Sequence, residues 1–147
     1  MQNPPPGSDY GAAAGAHSKS AIGLDGNVAS ALGYPIGIIA IINLIMEKEN
    51  KFVRFHAMQA IMFFVLWIVL LIVLSVVSIV LAIIGGVMAQ VVGSAAGIIV
   101  WLLSMLIWVV VPLLMLAGLI FAGVKAYQGQ LYRLPLIGNM ADKMVNK

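Results

Sequence analysis

FHAMQAIMFFVLWIVLLIVLSVVSIVLAIIGGVMAQVVGSAAGIIVWLLSMLIWVVVPLLMLAGLIFAGV, residues 55–124, is a run of 70 residues without one Asp, Glu, Lys or Arg. Hydrocarbon tolerates such a stretch and water does not. As one helix it would be roughly 105 Å long, about three times the hydrocarbon thickness of a bilayer, so the run has to double back. Glycine weakens a helix, and Gly85, Gly86, Gly93 and Gly97 fall near its midpoint. The turn is therefore expected within 85–97, with spans at about 57–84 and 98–124. Both exceed the minimum spanning length, so tilt or emergence from the bilayer is expected. The continuous apolar character speaks against a β-barrel, whose strands alternate.

Upstream, residues 27–46 (NVASALGYPIGIIAIINLIM) form a first, weaker candidate span, interrupted by Gly33, Tyr34, Pro35, Gly37 and Asn43. Pro35 removes a backbone donor and kinks a helix; a re-entrant or interfacial segment is the alternative. Residues 47–56 (EKENKFVRFH) are the densest charge cluster and belong at the membrane surface, with Asn50 placed to cap a helix starting at Lys51. Residues 1–26 are rich in Gly, Ala, Pro and Ser, bury little, and are expected to be a disordered tail. They lack the basic stretch and apolar core of a secretory leader. Residues 125–147 return to polar character. Gly129 is a plausible helix stop, and Leu134, preceding Pro135, is expected to be extended. A short surface helix is expected over 139–147, capped by Asn139, with Met140 and Met144 on one face and Lys143 and Lys147 on another.

The expected fold class is all-α: an integral membrane helical bundle of about three transmembrane helices with short amphipathic surface segments. Composition agrees. Of the 147 residues, 63% are hydrophobic and 9% charged, against roughly 45–50% and 25% in soluble domains. Cysteine is absent and the net charge is +3. Disulfides and thiolate chemistry are thereby excluded, and nucleic-acid binding lacks its basic face. Lys48, Lys51, Arg54, Lys125, Arg133, Lys143 and Lys147 flank one side of a three-span arrangement, against Lys19 alone on the other. The positive-inside rule then places the 47–56 loop and the C-terminus in the cytoplasm and the N-terminus outside. If the first segment does not cross, the N-terminus becomes cytoplasmic and the rest of the map stands.

Two polar islands carry a resemblance. EKENKFVRFHAMQA (47–60) and YRLPLIG (132–138) resemble the signature segments of a family of small bacterial and archaeal membrane proteins, with the similarity covering about residues 25–145. That family is distantly similar to the twenty-kilodalton membrane component of the chloroplast inner-envelope protein translocon. The resemblance implies a multi-span helical protein without assigned chemistry, and more remotely a part in protein translocation.

Few side chains could carry chemistry. His56, at the entrance of the second span, suits either a proton relay or an interfacial hydrogen bond to Gln59 or a headgroup. His17 stands apart from it, so a His-based metal site lacks ligands. Lys51 and Arg54 would share a helix face beside Phe52 and Phe55, cations toward phosphates and aromatics in the acyl boundary. Together with Gln59, Tyr132, Arg133 and Pro135 they make the expected lipid or partner contacts at the cytoplasmic interface. The segments around Arg54–Gln59 and Tyr132–Pro135 are expected to meet. Glu47 is expected to pair with Lys51. Ser75, Ser78 and Ser104 lack a base at comparable depth and should bond to backbone or to a neighbouring helix. Gly33 with Gly37, and Gly118 with Ala122, have the small-residue spacing of close helix packing. Pro35 and Pro112 are the expected kinks. No catalytic residue, cofactor or metal is expected. The expected partners are membrane lipids, with anionic headgroups favoured by the cations, and a second copy or another membrane protein. The expected function is that of a non-enzymatic packing or assembly module, with an oligomeric conduit or translocation component as the alternative.

Overall fold

The computed structural model describes residues 14–145. A short 3-10 turn, Gly15–His17, precedes five α-helices: α1 (Gly26–Gly33), α2 (Gly37–Met46), α3 (Lys51–Val91), α4 (Ser94–Tyr127) and α5 (Gly138–Val145). The chain divides into two compact units, one built from residues up to Val65 together with Gly118–Lys147, the other from Leu66–Ala117. α3 and α4 each contribute to both.

In the second unit α3 and α4 are joined by a turn at Val92 and Gly93. The Val92 and Gly93 amides close back on the carbonyl of Met88, and Gly93 adopts φ +121, a backbone region that side chains rarely enter. Gly85, expected in the turn, lies inside α3, where its carbonyl meets α4 so closely that a Cβ on Gly97 would come within 2.9 Å of it. The glycines of this stretch thus serve the helix–helix approach as well as the turn. Ser75 bonds the carbonyl of Leu71 one turn back, and Trp108 of α4 donates to the hydroxyl of Ser78. α4 continues as a helix through Pro112.

Among the described residues, α3 and α4 are the two helices long and apolar enough to cross a membrane. At 41 and 34 residues they measure roughly 60 and 50 Å, so parts of both extend beyond a ~30 Å hydrocarbon core. Only 6% and 0% of their most apolar windows are buried inside the protein, unlike the core helices of a water-soluble fold.

In the first unit the expected span 27–46 is two helices rather than one. Gly33, Pro35 and Gly37 bracket the break, and helices of 8 and 10 residues reach only roughly 12 and 15 Å. The amides of Tyr34 and Ile36 are served by the carbonyls of Ala31 and Leu32, so the kink expected at Pro35 becomes a hydrogen-bonded corner. Gly33 packs against Ala40, and Asn43 donates to the carbonyl of Ala29, tying α2 to α1.

The tail expected to be disordered over 1–26 is folded from residue 14; its first thirteen residues lie outside the described chain. Ala16 packs with Ala29, Phe52 and Val53 in a small apolar core, with Ile22 and Leu131 against it. Composition alone missed this because small residues contribute by fitting closely rather than by bulk. Asn50 accepts from the amides of Phe52 and Val53, capping α3 as expected, and its amide group donates to the carbonyl of Gly15 and to Ser18. Asn27 donates to the carbonyl of Tyr127 at the end of α4. Residues 15–27 therefore pack on the loop before α3 and on the end of α4.

At the other end, α5 begins at Gly138, so Asn139 lies inside the helix and is not its cap. The preceding turn carries Leu136 at φ +71.

Candidate functional site

The two polar islands meet in the first unit around a buried junction. α3 places His56 and Gln59 three residues apart, on one helix face. α4 ends in a Schellman-type cap: Gly129 has φ +72, the amide of Gln130 bonds the carbonyl of Lys125, and the amide of Gly129 bonds that of Ala126. This cap delivers residues 130–134 alongside α3. The corner between α1 and α2 supplies Tyr34.

His56 Nε2 lies 3.1 Å from the carbonyl of Gln130. A carbonyl can only accept, so Nε2 carries the proton and Nδ1 accepts from the hydroxyl of Tyr34 at 3.0 Å. Gln59 Nε2 donates to Tyr34 Oη at 2.7 Å and to the carbonyl of Tyr132 at 3.1 Å, while Gln59 Oε1 accepts from the amide of Leu134 at 3.1 Å. Every donor and acceptor of the His56 and Gln59 side chains is used, and Tyr34, His56 and Gln59 are all 0% exposed. Phe52 and Phe55 pack edge-on against the imidazole, with ring centroids 4.5 and 5.1 Å away.

These positions correct the expected interface. Phe52, Phe55, His56 and Gln59 were expected to face lipid or a partner, and all four are buried. The returning chain bonds His56 and Gln59, and Ala16 and Ala29 pack with Phe52, contacts that a one-dimensional helical pattern does not reveal. Lys51 remains exposed, and Arg54 is half-buried, its guanidinium 3.5 Å from the carbonyl of Lys48. Tyr132 is half-buried with its ring 5.0 Å from that of Phe121. Arg133 pairs with Asp142 at 3.5 Å, and Pro135 is exposed. The packing glycines lie within this unit: Gly37 faces the Phe64 ring, Gly118 faces Phe63, and Ala122 is buried. Tyr34, the third member of the junction, was missed; a tyrosine next to a helix-breaking proline in an apolar segment was the available signal.

A second junction lies at Glu47. Its carboxylate accepts from the amides of Ala21 at 2.7 Å, Asn50 at 3.1 Å and Glu49 at 3.3 Å, in place of the expected ion pair with Lys51. Burial alone would raise its pKa, but the amides of Asn50, Ala21, Glu49 and Lys48 outweigh that and hold the carboxyl below its usual value. The donors are backbone groups fixed by the turn, whereas Lys51 is a flexible surface side chain. Among the described residues no three His, Asp or Glu side chains are placed to hold a metal ion.

Comparison with known proteins matches residues 12–141 to the model of the MamF/MmsF family, described as the magnetosome magnetite crystal formation protein family. The chain is 37% identical over 127 residues to UPF0132 membrane protein MJ1443 of Methanocaldococcus jannaschii, covering 85% of this chain and 93% of that one. It is 33% identical over 124 residues to UPF0132 membrane protein MJ1527 of the same organism, covering 84% and 72%. A UPF0132 membrane protein of Archaeoglobus fulgidus is 35% identical over 120 residues, covering 81% and 94%. No solved structure matches. These relatives carry the expected kinship with small archaeal membrane proteins; its extension to the chloroplast translocon gains nothing from them.

Proposed function

The chain belongs to the magnetosome magnetite crystal formation protein family, and as a membrane protein of that family we propose that it is a non-enzymatic assembly module that packs with a second copy or another membrane protein. The observation that carries this is the exposure of α3 and α4: Ile72, Ile79, Ile83, Leu106 and Leu114 are 58–68% exposed, surface that only lipid or another apolar chain can cover. The groups that could support chemistry are committed to structure. Both ring nitrogens of His56 are occupied by protein atoms in a sealed site, which leaves the imidazole no substrate to reach. A conduit is less favoured, because the cleft between α3 and α4, about 420 Å³, is lined mainly by apolar groups such as Leu81, Ala82, Ile98 and Val100.

The test is photo-crosslinking in native membranes from Ile72 and Leu106. Recurrent capture of one membrane protein, or of the same chain, is expected. Capture of lipid alone from every exposed position along both helices would overturn the assembly reading.

The topology proposed with it is a two-span protein, in the plasma membrane of a prokaryote, with α1 and α2 as a re-entrant hairpin. Residues 15–27 pack on Asn50 and Tyr127, which supports placing both ends of the chain on one side. All eight basic residues then share that side and none lies in the turn at Val92–Gly93, a stronger asymmetry than the three-span arrangement provides, and one that makes the side cytoplasmic. Single cysteines at Lys19 and Lys143 should react with an impermeant thiol reagent from the same side; reaction from opposite sides would end this topology.

A further inference from the structure

α5 and the turn before it carry two unlike apolar sets. Ile137, Ala141 and Val145 are turned into the protein and buried, whereas Leu136 in the turn and Met140 and Met144, four residues apart on the helix, are 81%, 55% and 53% exposed. The helix is held in one orientation. A Cβ on Gly138 would fall 2.7 Å from the backbone of Arg133, Arg133 pairs with Asp142, and the amide of Leu134 is bonded by Gln59. The outward stripe is therefore fixed by the fold. Leu136 is notable for its backbone: φ +71 is a conformation in which glycine is at ease and leucine is rare. It presents a large apolar side chain to the outside in a conformation that disfavours it.

The level of this surface can be read from α4. The Tyr132 ring packs on Phe121, and the Lys125 ammonium stands 5.5 Å over the same Phe121 ring. The returning chain thus lies beside the last turns of α4, where its first cation marks the edge of the hydrocarbon. Lys143 is exposed on α5 next to the methionine stripe.

Resting on the membrane reading above, we infer that Leu136, Met140 and Met144 form a foot that seats in the headgroup–acyl boundary of an anionic bilayer, with Lys143 reaching the phosphates. A cation beside a narrow apolar stripe on a short surface helix matches that boundary. Methionine suits it, being flexible and able to fit disordered chains. Three side chains are too few for a stable protein interface, which buries about 1,200 Å² or more in total, whereas shallow seating in lipid requires only such a stripe.

The chain has no cysteine, so one introduced thiol carries one probe. The full chain is reconstituted in phosphatidylglycerol-containing vesicles with a polarity-sensitive fluorophore at Met140→Cys, Met144→Cys, Asn139→Cys or Ile79→Cys. At Met140 and Met144 the expected result is a blue-shifted emission, quenching by lipids brominated near the carbonyl end, and loss of quenching by aqueous iodide, all weaker in purely zwitterionic vesicles. Asn139 should stay open to iodide and Ile79 shielded from it. Iodide quenching at Met140 and Met144 equal to that at Asn139 would overturn the foot while leaving the membrane reading intact, provided Ile79 remains shielded. An Ile79 probe open to iodide would instead remove the membrane reading. Disulfide formation between two Met144→Cys chains without lipid quenching would also overturn the foot, by making this surface a contact between copies.

Discussion

Gln59 and Leu134 are 75 residues apart in sequence, yet the side-chain oxygen of Gln59 accepts the backbone amide of Leu134 at 3.1 Å inside the protein. With Gln59 Nε2 bonded to the carbonyl of Tyr132, one side chain holds two backbone groups of the returning chain. Substituting Gln59→Leu removes both of these bonds and the one to Tyr34 Oη, and strands the buried partners. It should lower stability by about 2–4 kcal/mol, since a buried polar group left unpaired costs roughly 1–3 kcal/mol. Unfolding in detergent measures this; a variant within about 0.5 kcal/mol of wild type, the scale of a neutral surface change, would deny the junction its role.

Glu47 makes the N-terminal segment sensitive to acid. Its folded-state pKa is lowered, so its contribution is fully present above the unfolded value of about 4.5 and is lost as pH falls through the lower folded value. A spin label at Lys19→Cys should become more mobile as pH drops below that range. With Glu47→Gln the label's mobility should not change with pH over the same range. Equal pH dependence in the two proteins would show that another group controls the segment.

Gly26 and Gly15 meet so closely that a Cβ on Gly26 would run into the carbonyl of Gly15. Gly26→Ala should therefore detach residues 14–25 and speed tryptic cleavage after Lys19, leaving α3 and α4 helical by circular dichroism. Cleavage at the wild-type rate would mean that the segment is held by something other than this approach.

Two glycines of the apolar run should respond in opposite directions. Gly86 lies inside α3 with open space around its Cβ position, while Gly93 sits at φ +121. Gly86→Ala should stabilise by up to about 1 kcal/mol by restricting the unfolded chain and favouring the helix. Gly93→Ala should destabilise by roughly 1–2 kcal/mol by forcing a side chain into a disfavoured backbone region. Changes of the same sign would mean that the turn is not at Gly93.

Much of this was legible from local pattern. The uncharged run of 70 residues marks two long apolar helices with a glycine turn between them, and Asn50 stands out as a cap because its signal lies within three residues of it. The pairing of the 47–60 island with 132–138 was also readable, since both flank spans that end on one side. What remained hidden depended on contacts distant in sequence. Phe52 and Phe55 look like lipid-facing aromatics until the fold buries them against His56. Ala16 looks like part of a featureless tail until it fits against Phe52 and Val53.

Sequence alone determined that this chain lives in a membrane as helices, because the transfer free energy of apolar surface is additive along the chain and needs no knowledge of neighbours. Only tertiary structure decided that residues 27–46 make two helices joined at a corner rather than one continuous helix, that Tyr34 closes a hydrogen-bonded circuit with His56 and Gln59, and that Leu136 with Met140 faces outward. Hydrogen-bond satisfaction and shielding from solvent are properties of groups brought together from distant positions, and no single stretch of the chain contains them.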